Sequence, residues 1–550
     1  MKKKINIFVL LIFSLFSVVS YPGIGNSEPP ESIISADGST SLGVFNNVAG
    51  GINFWGHEEA LQMFMEEVGT DLYRLKIRLH EVQKEGESYT NLPFLKDEFI
   101  QRLNMARDMG CRIMVQIYGI PYWLSTSEDT RIFSNNLPNY AKYPPKDFEE
   151  WAKIVSAAIT RLKDLGLEGI NYYEIFGEPN VGSTWYQQIM NGEPNELNHT
   201  TVEVMQNFCK IYNYTALTIQ DIDPNAKIGG PAIIPTISGI WWTRFLCQEI
   251  KSQNLPLDFY SWHWFKIDND LEEILNCIKS NSSLTEERVR EIFVPRYDKG
   301  GFNPDQIDMM VTDIYYYLKK LEEEDNKAIR YPYSFCSSQL KRILSEEGFD
   351  EAELFLTEWN VDYSYNIKHD SHYGASFIAR ALIDLTDSYT EAQTFYCLSS
   401  LNPVLKYNGS FELFVGNTPK ASFNAFKSFA MLGNYNERIN ILSSDEDIYS
   451  IATKDENSIS MLATYYTMIQ NAENFSPPPL TKAVTVEIKN IPFERYNYEI
   501  YLIDRNHSND FFGSGPELEL IAQGIGTNDF VKSGNLGVYG VVLIKIHRIY

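Results

Sequence analysis

Tyr172-Tyr173-Glu174-Ile175-Phe176-Gly177-Glu178-Pro179-Asn180 is the stretch whose reading decides the fold. An apolar, strand-like run ends in a carboxylate followed by Pro and Asn, so it delivers Glu178 to the end of a strand. The pattern recurs downstream in Glu353-Leu354-Phe355-Leu356-Thr357-Glu358-Trp359-Asn360, which delivers Glu358. Outward from these two runs, β-rich segments alternate with segments of helical period. Strands are predicted over 42–46, 71–77, 112–118, 170–176, 227–229, 257–262, 354–357 and 394–397, with helices over 58–68, 96–109, 148–165, 202–222 and 371–386. Repeated strand–helix units predict an α/β fold, a closed parallel (β/α)8 TIM barrel with its site at the C-terminal strand ends. Both glutamates fall at such ends, on the fourth and seventh barrel strands.

Beyond about residue 435 the pattern becomes short alternating runs over 439–442, 448–453, 458–465, 484–488, 498–503 and 537–546, separated by Asn, Asp, Gly and Pro. Such runs predict an antiparallel β-sandwich over 435–550. The barrel is assigned to 42–434, and residues 21–41 form a linker or the sandwich's first strand. Between the sixth and seventh strands, residues 266–353 exceed an ordinary connection and form an insertion with a helix over 305–324. An insertion on the strand-end face is expected to roof the cleft.

Lys2-Lys3-Lys4 followed by the apolar run 5–19 reads as a signal peptide over 1–20, since the run is too short to span a bilayer. The chain is therefore expected to be secreted or periplasmic, with no membrane span once processed. Its formal net charge is −25, which disfavours phosphate backbones and anionic lipid surfaces, so nucleic acid is not an expected partner. Cys111, Cys209, Cys247, Cys277, Cys336 and Cys397 show no close spacing that suggests a metal site, and they read as buried thiols or as disulfides of unassigned pairing. No metal or cofactor is called for, and oligomeric state is left open.

Two carboxylates at one barrel rim are what retaining glycoside hydrolysis needs: one, protonated, serves the leaving oxygen, and the other, ionised, attacks the anomeric carbon. The run 174–180 resembles the acid/base motif of clan A glycoside hydrolases. The run 354–360 resembles their nucleophile motif in the form used by glycoside hydrolase family 39, which contains β-xylosidases and α-L-iduronidases. Ile77-Arg78-Leu79-His80, Gly229-Gly230-Pro231-Ala232, Asp258-Phe259-Tyr260-Ser261-Trp262-His263 and Pro419-Lys420-Ala421-Ser422-Phe423-Asn424-Ala425-Phe426 fit the same family in the same order. The resemblance covers roughly residues 42 to 434. It implies a carbohydrate substrate, Glu178 as general acid/base, Glu358 as nucleophile, and double-displacement hydrolysis of O-glycosidic bonds, β-xylosidase-like, in glycans or polysaccharide fragments. The alternative is a catalytically weakened carbohydrate-binding pseudoenzyme on the same barrel.

Around the pair, the two-residue strand period points Glu174 and Phe176 to one face, so Glu174 enters the barrel, and Arg74 on the second strand is its expected cationic partner. His263 is placed to support Glu358, and by the resemblance His80 contacts sugar; either also reads as an ordinary structural histidine. Tyr118, Trp123 and Trp359 lie at strand ends, as sugar platforms or as core packing, and Asn180 joins the substrate-binding set. Two departures stand out. Clan A members carry Asn directly before the acid/base, holding the sugar 2-hydroxyl, where this chain has Gly177. The family also tends to place Tyr two residues after the sixth-strand His, where this chain has Phe265.

Overall fold

The structure, a computed structural model, describes residues 31–550 apart from 54–56, 93–96, 133–136, 166–168, 183, 187–196, 198, 266–283, 297–299, 325–327, 329, 363, 400–404, 435 and 468–479. Residues 1–20, read above as a signal peptide, Cys277 and the start of the insertion lie outside the described residues.

Strand β1 (Ser32–Asp37) belongs to the second domain. The barrel follows with β2 (Ile52–Asn53), β3 (Leu72–Arg78), β6 (Arg112–Tyr118), β7 (Ile170–Ile175), β8 (Lys227–Ile233), β9 (Phe259–Phe265), β10 (Glu353–Asn360) and β11 (Ala392–Phe395). They close in chain order, with β11 paired to β2. A small hairpin, β4 (Gln83–Glu85) and β5 (Ser88–Thr90), follows β3, and a second, β12 (Phe414–Val415) and β13 (Thr418–Pro419), follows β11. All pairs in the barrel are parallel. This is the predicted (β/α)8 architecture.

Helices form where apolar residues recur at helical spacing. The Phe148–Asp164 helix buries Trp151, Ile154, Val155, Ala158, Ile159 and Leu162 along one stripe, and Asp147 caps it by accepting from the Glu149 and Glu150 N–H groups. The Thr201–Ile222 helix opens with a capping box between Thr200 and Glu203.

Two expectations need correction. The first barrel strand is Ile52–Asn53, whereas 42–46 hydrogen-bonds to the second domain through Leu42 N–H to Arg438 O and Phe45 N–H to Asn436 O. In the insertion, the Pro332–Glu347 helix packs against the Ile237–Ser252 and His372–Leu385 helices, so it is the regular helix after the sixth strand. The Pro304–Glu324 helix lies against Ile237–Ser252, where Asp313 accepts from Arg244 at 2.8 and 3.0 Å and from Arg342 at 3.1 Å. That helix thickens the outer helical layer and does not itself roof the cleft; residues 266–283 and 297–299 of the insertion lie outside the described residues.

The second domain contains β1, β14 (Glu437–Ser443), β15 (Ile448–Lys454), β16 (Ser458–Tyr465), β17 (Thr481–Lys489), β18 (Tyr496–Ile503), β19 (Glu519–Gly526), β20 (Phe530–Gly537) and β21 (Val541–Arg548). Their order is β19-β18-β21-β16-β15-β14-β1-β17-β20, antiparallel except for β1 with β17. The first residues of β14 pair with β15 and the later ones with β1, which joins the two halves. The His372–Leu385 helix supports β16 through Ser376 Oγ to Thr464 Oγ1 at 2.7 Å and Tyr373 Oη to Tyr466 Oη at 2.9 Å. Among the described residues, no helix is long and apolar enough to cross a membrane.

Candidate active site

Three levels of the barrel interior build the site. At the N-terminal ends of the strands Leu72, Met114, Tyr172, Phe259, Phe355 and Ala392 form an apolar plug. Two residues further along, Arg74 and Glu174 are both fully buried, a placement that demands compensation of each charge. Arg74 Nε donates to Glu174 Oε2 at 2.9 Å, and Thr357 Oγ1 donates to Glu174 Oε1 at 2.9 Å. Arg74 Nη1 then reaches up to Asn53 Oδ1 at 3.0 Å and to Glu358 Oε1 at 2.7 Å, coupling the buried level to the rim.

Strict alternation along β10 would turn Glu358 outward, because Phe355 and Thr357 face in. The pairing with β9 slips: Leu356 lies opposite Trp262, yet Glu358 lies opposite His263. This bulge inserts one residue and turns Glu358 into the barrel beside His263. Trp359 is left facing the helices. It is fully buried, donates from Nε1 to Gln393 Oε1 at 2.5 Å, and packs on Tyr333, Phe395 and Phe426. Trp359 is therefore core packing and not a sugar platform.

On the fourth strand Phe176 and Glu178 adopt left-handed backbone, at φ 59° and 48°, a conformation that side chains beyond glycine rarely take. Neighbouring strands hold them there: Phe176 N–H donates to Ile117 O at 2.9 Å and Glu178 N–H to Pro231 O at 3.0 Å. The turn sends Phe176 onto Trp151, Trp185 and Phe208 of the outer layer, away from the face of Glu174, and aims Glu178 at the cleft. A Cβ on Gly177 would stand 2.7 Å from Gln116 Nε2, which donates to Phe176 O at 2.6 Å. The Gln116 amide thus fills the space beside Gly177.

The rim brings Glu178, His263 and Glu358 together. His263 Nδ1 lies 2.7 Å from Glu178 Oε1 and 3.9 Å from Glu358 Oε2. One carboxyl oxygen from each glutamate and one histidine nitrogen all lie within 4.8 Å of one another. Burial pushes Glu358 toward its neutral form, but the charges of Lys76, His263 and Arg74 outweigh it and hold this carboxyl well below the usual carboxylate range. The trio is the one group among the described residues spaced to hold a metal ion; the two cations already on Glu358 would repel another there.

The remaining predicted residues divide. Tyr118 belongs with the pair: it is nearly buried, its ring lies 5.6 Å from Phe176, and burial together with the charge of Glu178 raises its hydroxyl. His80 sits in the 3-10 turn Leu79–Glu81 after β3, beneath Gly119, and burial with the nearby Arg78 charge lowers it to about 4, so it is neutral at pH 7. Trp123 donates from Nε1 to Val82 O at 3.0 Å and lies beside Lys84, which ties it to the β4–β5 hairpin region. Asn180 uses both ends of its amide on Ile234, accepting from N–H at 3.3 Å and donating to O at 2.9 Å, so it clamps two rim loops.

Sequence reasoning missed Lys76 and Tyr396. Lys76 Nζ lies 2.5 Å from Glu358 Oε1, and Tyr396 follows β11 with its ring 5.9 Å from Lys76 Nζ. The signal for Lys76 was present, since the two-residue period that turns Arg74 inward turns Lys76 inward too. Cys111, Cys209, Cys247, Cys336 and Cys397 are buried free thiols.

Fold and site together define a parallel barrel bearing paired carboxylates at its C-terminal rim. Glycosyl hydrolases family 39 matches residues 61–304 and 315–512, and the chain belongs to that family. It is similar to a β-xylosidase of Geobacillus stearothermophilus, 25% identical over 365 residues, which covers 64% of this chain and 59% of that protein. A β-xylosidase of Caldicellulosiruptor saccharolyticus is 24% identical over 365 residues, covering 64% and 60%. The match thus spans about three-fifths of the length of these curated relatives. Among solved structures, a monomeric β-xylosidase from Caulobacter crescentus CB15 superposes with a TM-score of 0.66 at 16% identity, covering 94% of this chain and 100% of the other. A bacterial orthologue of human α-L-iduronidase superposes with a TM-score of 0.56 at 13% identity, covering 94% and 84%.

Proposed function

We propose that the chain is an exported retaining glycoside hydrolase of β-xylosidase type, with Glu358 as nucleophile and Glu178 as general acid/base. One observation carries the reading: Glu178 and Glu358 offer carboxyl oxygens within 4.8 Å of each other. Direct attack by one carboxylate goes with carboxyl groups about 5–5.5 Å apart, whereas an interposed water needs roughly 6.5–9.5 Å. The electrostatics agree, because a nucleophile must be ionised and Glu358 is held so by Lys76, His263 and Arg74. In the first step Glu358 bonds to the anomeric carbon as the leaving oxygen takes a proton from Glu178. In the second, Glu178 receives a proton from the attacking water and Glu358 departs as carboxylate.

His263 contacts the acid/base directly, so its duty in this reading is to orient Glu178. The binding-protein alternative is not favoured, because both carboxylates are present and the backbone aims each of them into the cleft. Lys2-Lys3-Lys4 and the apolar run after it support export. A panel of aryl xylosides, glucosides, arabinosides and uronides, scored for release of the aryl group, tests the function. Cleavage of the xyloside is expected; binding of sugars with no cleavage of any member would favour the pseudoenzyme.

A further inference from the structure

We propose that Lys76 is a positioning residue that slows formation of the glycosyl-enzyme and speeds its breakdown, so that glycosylation limits turnover in this chain. The inference rests on the assignment of Glu358 as nucleophile and goes beyond it.

The two oxygens of Glu358 are not equivalent. Oε1 takes both Lys76 Nζ at 2.5 Å and Arg74 Nη1 at 2.7 Å, while Oε2 has His263 Nδ1 at 3.9 Å. Oε1 is therefore the anchored oxygen and Oε2 the one free to attack. The two cations also differ. Arg74 is fully buried and keeps Glu174 as a second anionic partner, whereas the ion-pair partner of Lys76 among the described residues is Glu358. Lys76 stands between the rings of Tyr118 and Tyr396, each 5.9 Å from Nζ, with its side chain 21% exposed.

These differences act on the two steps in opposite senses. When Oε2 bonds to the anomeric carbon, the bond from that carbon to the leaving oxygen breaks; the leaving oxygen keeps the electron pair and takes the Glu178 proton. Glu358 is then an uncharged ester. The proton given up leaves Glu178 as the carboxylate, so the negative charge moves from Glu358 to Glu178. Arg74 still faces Glu174, but Lys76 exchanges a carboxylate oxygen at 2.5 Å for one beyond ion-pair distance, which opposes this step. When water attacks the same carbon and gives its proton to Glu178, the carbon–Oε2 bond breaks and its electron pair returns to Glu358. The carboxylate reappears beside Lys76, which favours that step. Lys76 thus makes Glu358 a poorer nucleophile and a better leaving group.

The experiment compares wild type with Lys76→Met on a series of aryl β-D-xylosides of graded leaving-group acidity, by stopped flow and at steady state. Wild type is expected to show no burst of aryl alcohol, with kcat falling as the leaving group becomes less acidic. Lys76→Met is expected to release a burst approaching one equivalent per enzyme. Its kcat should be level across the acidic phenols and on the order of tenfold or more below wild type for the best of them. The acid limb of its kcat/KM profile moves to higher pH, because Glu358 without Lys76 protonates more easily, and Lys76→Arg restores burst-free behaviour. Lys76→Gln repeats the comparison if the Met variant does not fold. A folded Lys76→Met enzyme with no burst and an unchanged leaving-group dependence would overturn the proposal, as would a burst in wild type. Failure of the underlying assignment looks different: wild type and Glu358→Gln would be equally inert on every xyloside, and both readings would fall together.

Discussion

Glu178 and Glu358, delivered by barrel strands on opposite sides of β8 and β9, present carboxyl oxygens within 4.8 Å of each other. Neither reaches that position by regular strand geometry. Glu178 depends on two left-handed residues and Glu358 on a bulge, so the placement of the pair is set by departures from ideal backbone.

The two glutamates should fail differently. Glu358→Ala is expected to lower kcat on every glycoside by several orders of magnitude, about 10⁴-fold or more, with partial rescue by azide or formate giving the inverted product. Glu178→Ala leaves the nucleophile in place, so glycosylation by substrates with acidic leaving groups should suffer least. Steady-state rates across leaving groups, with product anomer analysis in azide, check both.

The Gly177 site should show coupling with Gln116. Gly177→Asn drives its Cβ to 2.7 Å from Gln116 Nε2, so the single variant should lose activity and about 1–3 kcal/mol of stability to overpacking. Adding Gln116→Ala opens the space, and the double variant should recover most of the loss. Urea melts and kcat/KM on one xyloside, arranged as a double-mutant cycle, give the coupling.

Much of this was legible in the chain. The rhythm of strands and helices predicts the barrel, and the period of two on the fourth strand points Glu174 at Arg74, which the structure joins. That period misleads where the backbone breaks it. It places Phe176 with Glu174, yet left-handed φ turns the ring outward. It cannot anticipate the bulge that turns Glu358 in and Trp359 out. The first barrel strand, Ile52–Asn53, is too short to carry a pattern. β19 and β20 are edge strands, largely exposed and containing Gly524, Gly526 and Gly534, so they lack the continuous burial that marks β16. Lys76 was readable from Arg74 by the same spacing, but its contact with Glu358 depends on a partner strand far along the chain.

The buried ion pair gives a stability prediction. Arg74→Met leaves Glu174 fully buried without its guanidinium, so unfolding free energy should fall by about 3–5 kcal/mol. Arg74→Met with Glu174→Met removes both charges and should regain a large part of it. Urea unfolding of the three proteins is the check; equal stability of the single variant and wild type would mean that the pair does not hold the barrel.

Asp384 gives a pH dependence of stability. Burial pushes its carboxyl up to about 7, against the Tyr333 and Ser334 N–H groups that favour ionisation. Its folded pKa lies above its ordinary value of 3.8, so the folded state holds a proton that the unfolded state has lost between those limits. The contribution is fully present below the unfolded value and is lost as pH rises from about 4 to about 7. The stability of wild type minus that of Asp384→Asn, measured by urea melts from pH 4 to 8, should decline across that window and level off above it. A difference independent of pH would place the carboxyl in its ordinary range.

The central claim, direct attack by Glu358 on a sugar bound against Glu178, is tested most directly by proton NMR of the first product formed from an aryl β-D-xyloside. The account predicts that β-xylose appears first and only then mutarotates, because two displacements at the anomeric carbon retain configuration. Initial release of α-xylose would contradict it, since one displacement by water would then have occurred between the two carboxyl groups.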